Sequence, residues 1–169
     1  MLPLDRVWAG RSFRAPWFVY VSTTAERGPM QDNHRLVGGC WCGAVRYRVA
    51  DEFLYALNCH CSRCRAATGS AFKATAGIER EKFELIKGAD HLLVYGDDAL
   101  NDTRCATCGS LLFSVVRNGA FVHVALGSLM ERPNLPPSKH IFVGSKAPWF
   151  EITDELPQFD EYPSSASRD

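Results

Sequence analysis

The sequence predicts a mainly β fold built from small sheets. Three observations support this prediction. Short segments alternate apolar and polar residues with the period of a strand, turn-forming residues separate these segments, and no segment keeps a helical period over about twelve positions. A chain with these features is expected to bury its apolar residues between sheets rather than between helices.

The strand candidates follow one another along the chain. Residues 44–49 alternate between an apolar and a polar face, which is the mark of a half-buried strand. Residues 111–116 and 121–126 are rich in β-branched and aromatic side chains. The Asn118-Gly119 pair between them predicts a hairpin turn, because both residue types tolerate positive φ.

Residues 83–86 and 92–95 are two further strand candidates, separated by a turn at Gly88. The best helical segment is short and covers residues 65–68, where Gly69 is placed to end it. The sequence contains no detectable internal repeat.

Length and composition predict one domain at residues 34–160. Residues 1–33 read as an appended extension, either disordered or not part of the natural protein, and residues 161–169 as a disordered tail. A signal peptide or an organelle-targeting segment is an alternative reading of the extension, although Pro16 interrupts its apolar run.

The overall charge argues against two classes of partner. The 169 residues include 19 basic and 19 acidic side chains, so no long-range field would attract nucleic acid or an anionic membrane. No apolar stretch approaches the roughly 20 residues that span a bilayer. We therefore expect a cytoplasmic protein whose partner is a small molecule or another protein.

Seven cysteines are the most informative feature of the chain. An odd number cannot pair completely, and close neighbours bridge only with strain, whereas their spacing suits metal ligands. This pattern predicts metal binding in a reducing compartment rather than disulfides. The three groups are Cys40 and Cys42; Cys59, Cys61 and Cys64; and Cys105 and Cys108.

The first and last groups have the form of metal-binding knuckles. Cys105 and Cys108 precede Gly109, which can take the positive φ that such a turn requires, and Cys40 and Cys42 form a tighter version. Together they predict a four-cysteine zinc site that encloses the intervening residues. Because the free energy of metal binding then contributes to the free energy of folding, this zinc would be structural.

The middle group predicts a different site. Cys59, Cys61 and Cys64 can hold one ion from a single loop, and three protein ligands with an open position are typical of catalytic zinc. A zinc ion with three thiolates is a poor Lewis acid for water but accepts a fourth thiolate. The implied chemistry is capture of a substrate thiol and its presentation to an electrophile.

Spacing alone leaves two alternatives open for this group. A fourth protein ligand could come from His60, His123, His140 or an acidic residue, since structural zinc sites are almost always four-coordinate. Cysteines could also be exchanged between the two sites. All-thiolate ligands favour zinc or iron–sulfur clusters, and neither set matches a ferredoxin pattern.

Several polar residues lie near the middle group in sequence. Arg63, Arg65 and Lys73 could meet the carboxylates of a substrate, but the more frequent role of such side chains is solvated surface charge. We expect His60 to pack or to form hydrogen bonds rather than to transfer protons, and His140 to cap a strand.

Four segments together carry a family resemblance: residues 38–47, 59–72, 105–110 and 146–157. Their Cys-Trp-Cys-Gly, Cys-His-Cys-Ser-Arg-Cys and Cys-Ala-Thr-Cys-Gly motifs, in this order, closely resemble the glutathione-dependent formaldehyde-activating family, also called the centromere-protein-V domain family. The resemblance implies an Mss4-like fold of small β-sheets stapled by zinc.

The resemblance also implies two Zn²⁺ ions per chain and an activity. The structural ion would bind Cys40, Cys42, Cys105 and Cys108, and the catalytic ion Cys59, Cys61 and Cys64. The implied enzyme is a carbon–sulfur lyase that adds glutathione to formaldehyde, giving S-hydroxymethylglutathione. The alternative from another functional class is a non-catalytic zinc-binding module for a protein partner.

Overall fold

The computed structural model describes residues 34–163. Within them the strands are β1 Arg35–Gly39, β2 Arg46–Ala50, β3 Tyr55–Cys59, β4 Lys73–Glu79, β5 Phe83–Lys87, β6 Leu92–Gly96, β7 Asn101–Cys105, β8 Leu111–Val116, β9 Phe121–Ala125, β10 His140–Ile141 and β11 Gln158–Phe159. The α-helix is α1 Ser62–Thr68, and short 3₁₀ helices cover Arg80–Lys82, Ala89–His91, Leu126–Ser128 and Val143–Ser145. The mainly β prediction is confirmed.

The strands form two sheets. A three-stranded antiparallel sheet has the order β1-β2-β5, and an eight-stranded sheet has the order β11-β10-β3-β4-β9-β8-β7-β6. In the larger sheet β10 runs parallel to both of its neighbours, and the other pairs are antiparallel. β5 and β6 are consecutive in the chain and separated by a short turn, but they do not pair with each other. β5 pairs with β2 in the small sheet, and β6 pairs with β7 in the large sheet.

The predicted hairpin is present between β8 and β9. The last ladder pair joins Val116 to Phe121. Arg117, Asn118 and Gly119 all have positive φ, at 54°, 54° and 82°. Left-handed backbone at these positions matches the right-handed strand twist, which is why a sequence with Asn-Gly forms the turn here.

The main core lies between the two sheets. Tyr47 from the small sheet is fully buried, and its ring centroid lies 4.9 Å from that of Phe83 and 6.3 Å from that of Phe113. The ring crosses the backbone of Gly38, where an added Cβ would lie 2.1 Å from the ring carbon Cζ. Other members of this core are Leu36, Val45, Val49, Ala76, Ile78, Leu112, Val115, Val122 and Val124.

Two central strands of the larger sheet were missed by the sequence analysis. β3 and β4 pair with Cys59 opposite Lys73 and Tyr55 opposite Gly77. The sequence of β4, Lys-Ala-Thr-Ala-Gly-Ile-Glu, is rich in small residues that have low strand propensity. Packing on both sides of the strand, rather than local preference, selects the extended conformation.

The predictions for residues 1–33, and for residues 164–169 of the tail, lie outside the described residues. The boundaries of the proposed domain at residues 34–160 therefore stay a prediction. Among residues 34–163 no helix has both the length and the apolar character needed to cross a membrane.

Candidate metal centres and the adjoining cleft

Four cysteines from distant parts of the chain converge on one point. The sulfurs of Cys40, Cys42, Cys105 and Cys108 all lie within 4.8 Å of one another. Cys42 Sγ is 3.5 Å from Cys40 Sγ and 3.7 Å from Cys105 Sγ. Cys40 and Cys42 follow β1 in the small sheet, whereas Cys105 is the last residue of β7 in the large sheet and the fourth cysteine follows it. This group therefore joins the two sheets.

Backbone turns position these sulfurs. Gly43 and Gly109 follow the two cysteine pairs with φ of 77° and 76°. The Val45 N–H donates to Cys40 Sγ at 3.1 Å, and Cys108 Sγ lies 3.2 Å from Ser110 Oγ. Hydrogen bonds to sulfur and a left-handed glycine are the features expected of a metal-binding knuckle.

The ionisation of this group favours a cation among the sulfurs. Burial raises the pKa of Cys108, but hydrogen bonds with Ser110 outweigh it and lower the pKa to about 6. At Cys42 the Ala44 N–H favours the thiolate, but burial and the neighbouring thiols raise the pKa to about 12. Adjacent thiolates repel one another, so all four can ionise together only around a positive charge, and four sulfurs suit zinc.

The second group comes from one short segment. The sulfurs of Cys59, Cys61 and Cys64 also lie within 4.8 Å of one another, and no further cysteine, histidine or carboxylate of residues 34–163 joins them. Cys59 ends β3 and is buried, whereas the other two are partly exposed. All seven cysteines fall within the described part of the chain and are free.

The start of α1 shapes this group. Cys61 is the N-cap of the helix, and its sulfur accepts a hydrogen bond from the Cys64 N–H at 3.4 Å. The helix ends at Gly69, which adopts the left-handed conformation with φ 62°. The predicted helical turn at residues 65–68 is confirmed, but the helix begins three residues earlier, because a cysteine takes the capping role usually held by serine or aspartate.

Two of the histidines considered as fourth ligands contact other side chains and not the three sulfurs. His60 is fully buried, and its Nε2 lies 2.7 Å from Nδ1 of His140. His140 Nε2 lies 3.1 Å from both carboxylate oxygens of Asp154. The His60 ring also packs near Phe72 and Phe150, with centroid distances of 5.3 and 5.9 Å. This chain of contacts orients the backbone between Cys59 and Cys61.

The third candidate, His123, lies on β9. Its Nε2 is 2.6 Å from the hydroxyl of Tyr55, and the two rings meet edge to face. Burial, followed by the charges of Lys73 and Arg117, lowers the pKa of His123 to about 4, so the imidazole is neutral near pH 7. His123 is therefore engaged with Tyr55 and does not join the sulfurs of the three-cysteine group.

Lys73 is the main correction to the sequence analysis. It was expected to be a solvated surface charge, but it is only 6% exposed. Its Nζ donates to Ser114 Oγ at 2.5 Å and to Asp102 Oδ1 at 3.2 Å, and Ser114 Oγ donates to the same carboxylate oxygen at 2.5 Å. Burial opposes ionisation of Asp102, but Ser114 and Lys73 outweigh it and hold the pKa below its usual range.

This lysine belongs to the surroundings of the three-cysteine group. Lys73 is directly opposite Cys59 in the β3–β4 ladder, so the two side chains share one face of the sheet. The pKa of Cys64 is raised by its hydrogen bond with Cys59 and by burial, and the lysine charge opposes that rise. The ammonium therefore lies within electrostatic reach of the sulfurs.

A cleft of about 520 Å³ lies at the end of α1, and its lining includes Cys108 but none of the three cysteines of the second group. Its lining includes Lys73, Arg104 and the hydroxyl-bearing residues Thr68, Ser70 and Ser110. A volume of this order is typical of small-molecule sites. Two cations and several hydroxyls favour a ligand that carries carboxylates.

Arg104 links the two cysteine groups across this cleft. Its guanidinium donates to the Ala67 carbonyl in α1 and, at 3.1 Å, to the Gly109 carbonyl beside Cys108. No local motif in the sequence marks Arg104, Ser114 or Asp102. The last two contact a lysine on another strand, and Arg104 contacts backbone carbonyls in α1 and in the loop after β7.

Comparisons with known proteins found a matching family model, a relative and a solved structure. A family model described as glutathione-dependent formaldehyde-activating enzyme matches residues 35–145. A Halomonas elongata protein, provisionally described as a glutathione-dependent formaldehyde-activating enzyme, is 32% identical over 128 residues, which cover 69% of this chain and 80% of that protein. The crystal structure of a Rhodobacter sphaeroides protein aligns with 55% of this chain and 86% of its own at a TM-score of 0.47 and 28% identity.

Proposed function

Because this chain belongs to the glutathione-dependent formaldehyde-activating family, we propose that it is a zinc-dependent carbon–sulfur lyase that adds glutathione to formaldehyde. The product is S-hydroxymethylglutathione. The observation that carries the proposal is the group of three sulfurs, Cys59, Cys61 and Cys64, with no fourth protein ligand from residues 34–163. Such a group leaves room for the sulfur of a substrate.

The cysteines take two roles in this proposal. Cys59, Cys61 and Cys64 are the catalytic zinc ligands, and Cys40, Cys42, Cys105 and Cys108 hold a structural zinc. When bound at the three-cysteine group, zinc supplies the positive charge that keeps a substrate thiol ionised near neutral pH. Seven free thiols suit a reducing compartment, and we place the reaction in the cytoplasm.

The reaction balances without an oxidant or a reductant. The glutathione sulfur forms a bond to the carbonyl carbon, the π electrons of the C=O bond move to the oxygen, and the proton lost by the thiol is replaced on that oxygen from solvent. The protein has to bind an anionic tripeptide, hold its sulfur and orient a small aldehyde. The cleft beside α1, lined by Arg104 and several hydroxyl groups, supports the first of these tasks.

The proposal is tested by measuring zinc per chain and the exchange between glutathione and formaldehyde. Exchange NMR should detect faster interconversion with the wild type than in buffer. Cys61→Ser should lose one zinc and the acceleration, whereas Ser62→Ala, an exposed neighbour on α1, should keep both. Wild-type exchange at the uncatalysed rate would remove the assignment, and a stoichiometry near one zinc would remove the two-site arrangement.

A second candidate function is a non-catalytic zinc module that binds a protein partner. The observation that favours it is the outermost strand of the large sheet, β6, where Leu93, Val94 and Tyr95 are 55%, 50% and 77% exposed. Exposed apolar edge strands are sites of pairing with other chains. A wild-type protein that holds two zinc ions but does not accelerate the exchange would favour this candidate.

A further inference from the structure

We propose that Lys73 is a catalytic residue, whose ammonium donates a hydrogen bond to the aldehyde oxygen as that oxygen becomes negative. This inference rests on the proposed function, because it assigns the electrophile side of the same reaction. The acceptor of the proposed hydrogen bond is an oxygen that gains charge during the reaction, not a carboxylate of the thiol substrate.

Lys73 lies on the strand next to the one that carries Cys59. It is paired with Cys59 across β3 and β4, on the same face of the sheet, and it lines the cleft beside α1. Side chains directly opposite in an antiparallel ladder have Cβ atoms about 5 Å apart. An aldehyde attacked by a thiol at the three-cysteine group would therefore lie close to this side chain.

The Lys73 ammonium has more donors than its two protein partners use. A lysine has three N–H donors. Two of them are used, by Ser114 Oγ at 2.5 Å and by Asp102 Oδ1 at 3.2 Å. Among residues 34–163 the third donor has no acceptor within hydrogen-bond distance, although only 7% of the side chain is exposed. One donor is thus left for a ligand in the cleft.

The Lys73 ammonium is preorganised by its two partners. Ser114 and Asp102 lie on neighbouring strands and hold Nζ in one position, so the donor does not have to reorganise when charge develops. Fixed donors in a site that excludes water stabilise a developing oxyanion more strongly than mobile ones. Lys73 donates only a hydrogen bond, and the proton that completes the hydroxyl comes from solvent.

The test compares Lys73→Met with Lys139→Met, a partly exposed lysine on the segment before β10. Exchange NMR at saturating glutathione reports the catalysed rate, and calorimetry reports the affinity for glutathione. Zinc content and circular dichroism check that each variant is folded and loaded. Because Lys73→Met leaves the Asp102 carboxylate without its ammonium partner, the double variant Lys73→Met/Asp102→Asn is measured in parallel.

A second readout does not depend on turnover. S-acetylglutathione has a carbonyl oxygen at the reacting carbon, and S-ethylglutathione lacks it. Wild type should bind the acetyl conjugate about tenfold more tightly, as expected for one hydrogen bond from a charged donor. Both Lys73 variants should lose this preference, and Lys139→Met should keep it.

The expected kinetic result is a fall of about 100-fold in the catalysed rate in both Lys73 variants, with glutathione affinity nearly unchanged. A loss of glutathione affinity at an unchanged rate would overturn the proposal, because Lys73 would then hold a substrate carboxylate. Unchanged rate and unchanged conjugate preference, or failure of both variants to fold, would also overturn it. If the wild type itself does not accelerate exchange, the proposed function fails and this inference with it.

Discussion

Replacing Cys108 by serine should destabilise the domain more than replacing Cys61. The four-cysteine group connects Cys42 to Cys105, which are 63 positions apart, and so closes a loop that contains β2 to β7, six of the eleven strands of residues 34–163. The chain-entropy relation for a cross-link gives about 4 kcal/mol for a loop of this size. For the six-residue loop from Cys59 to Cys64 the same relation gives about 2 kcal/mol.

The assay is thermal unfolding by circular dichroism with zinc and again with a chelator. A difference of about 2 kcal/mol corresponds to a difference of roughly 5–10 °C in melting temperature for a domain of this size. Cys108→Ser should therefore melt well below Cys61→Ser in zinc, and chelator should lower the wild type further than Cys108→Ser. An equal or larger loss in Cys61→Ser would refute the division into a structural and a catalytic site.

Three further predictions concern the surroundings of the site. Gly77→Ala should lower the free energy of unfolding by about 2 kcal/mol, because the added Cβ would lie 2.2 Å from a Tyr55 ring carbon. Gly127→Ala is the control, since no atom lies within 4 Å of its added Cβ, and chemical denaturation should find it nearly neutral. As pH falls from about 6.5 to 4, His123 is protonated in the unfolded chain but stays neutral in the folded one, so the free energy of unfolding should fall by up to about 3 kcal/mol. His123→Gln should flatten this pH dependence of the free energy of unfolding. Arg104→Lys should cost about 1–2 kcal/mol, because lysine cannot bridge both carbonyls, and an unchanged melting curve would contradict that role.

The cysteine groups and several strands could be predicted from the sequence because their signals are local. Cys59, Cys61 and Cys64 occupy one short loop, so spacing alone places their sulfurs near one another. The alternation at residues 44–49 and the Asn118-Gly119 turn likewise depend only on neighbouring residues, and β2 and the β8–β9 hairpin form there.

Contacts between strands were decided only by the tertiary structure. Lys73 meets Asp102 and Ser114 across 29 and 41 positions, and Tyr55 meets His123 across 68. Such contacts depend on strand order and register, which are determined by how the whole core packs and not by any one segment. The sequence by itself determined which cysteines form each group of candidate metal ligands. The sheet determined which charged and polar side chains lie around those cysteines.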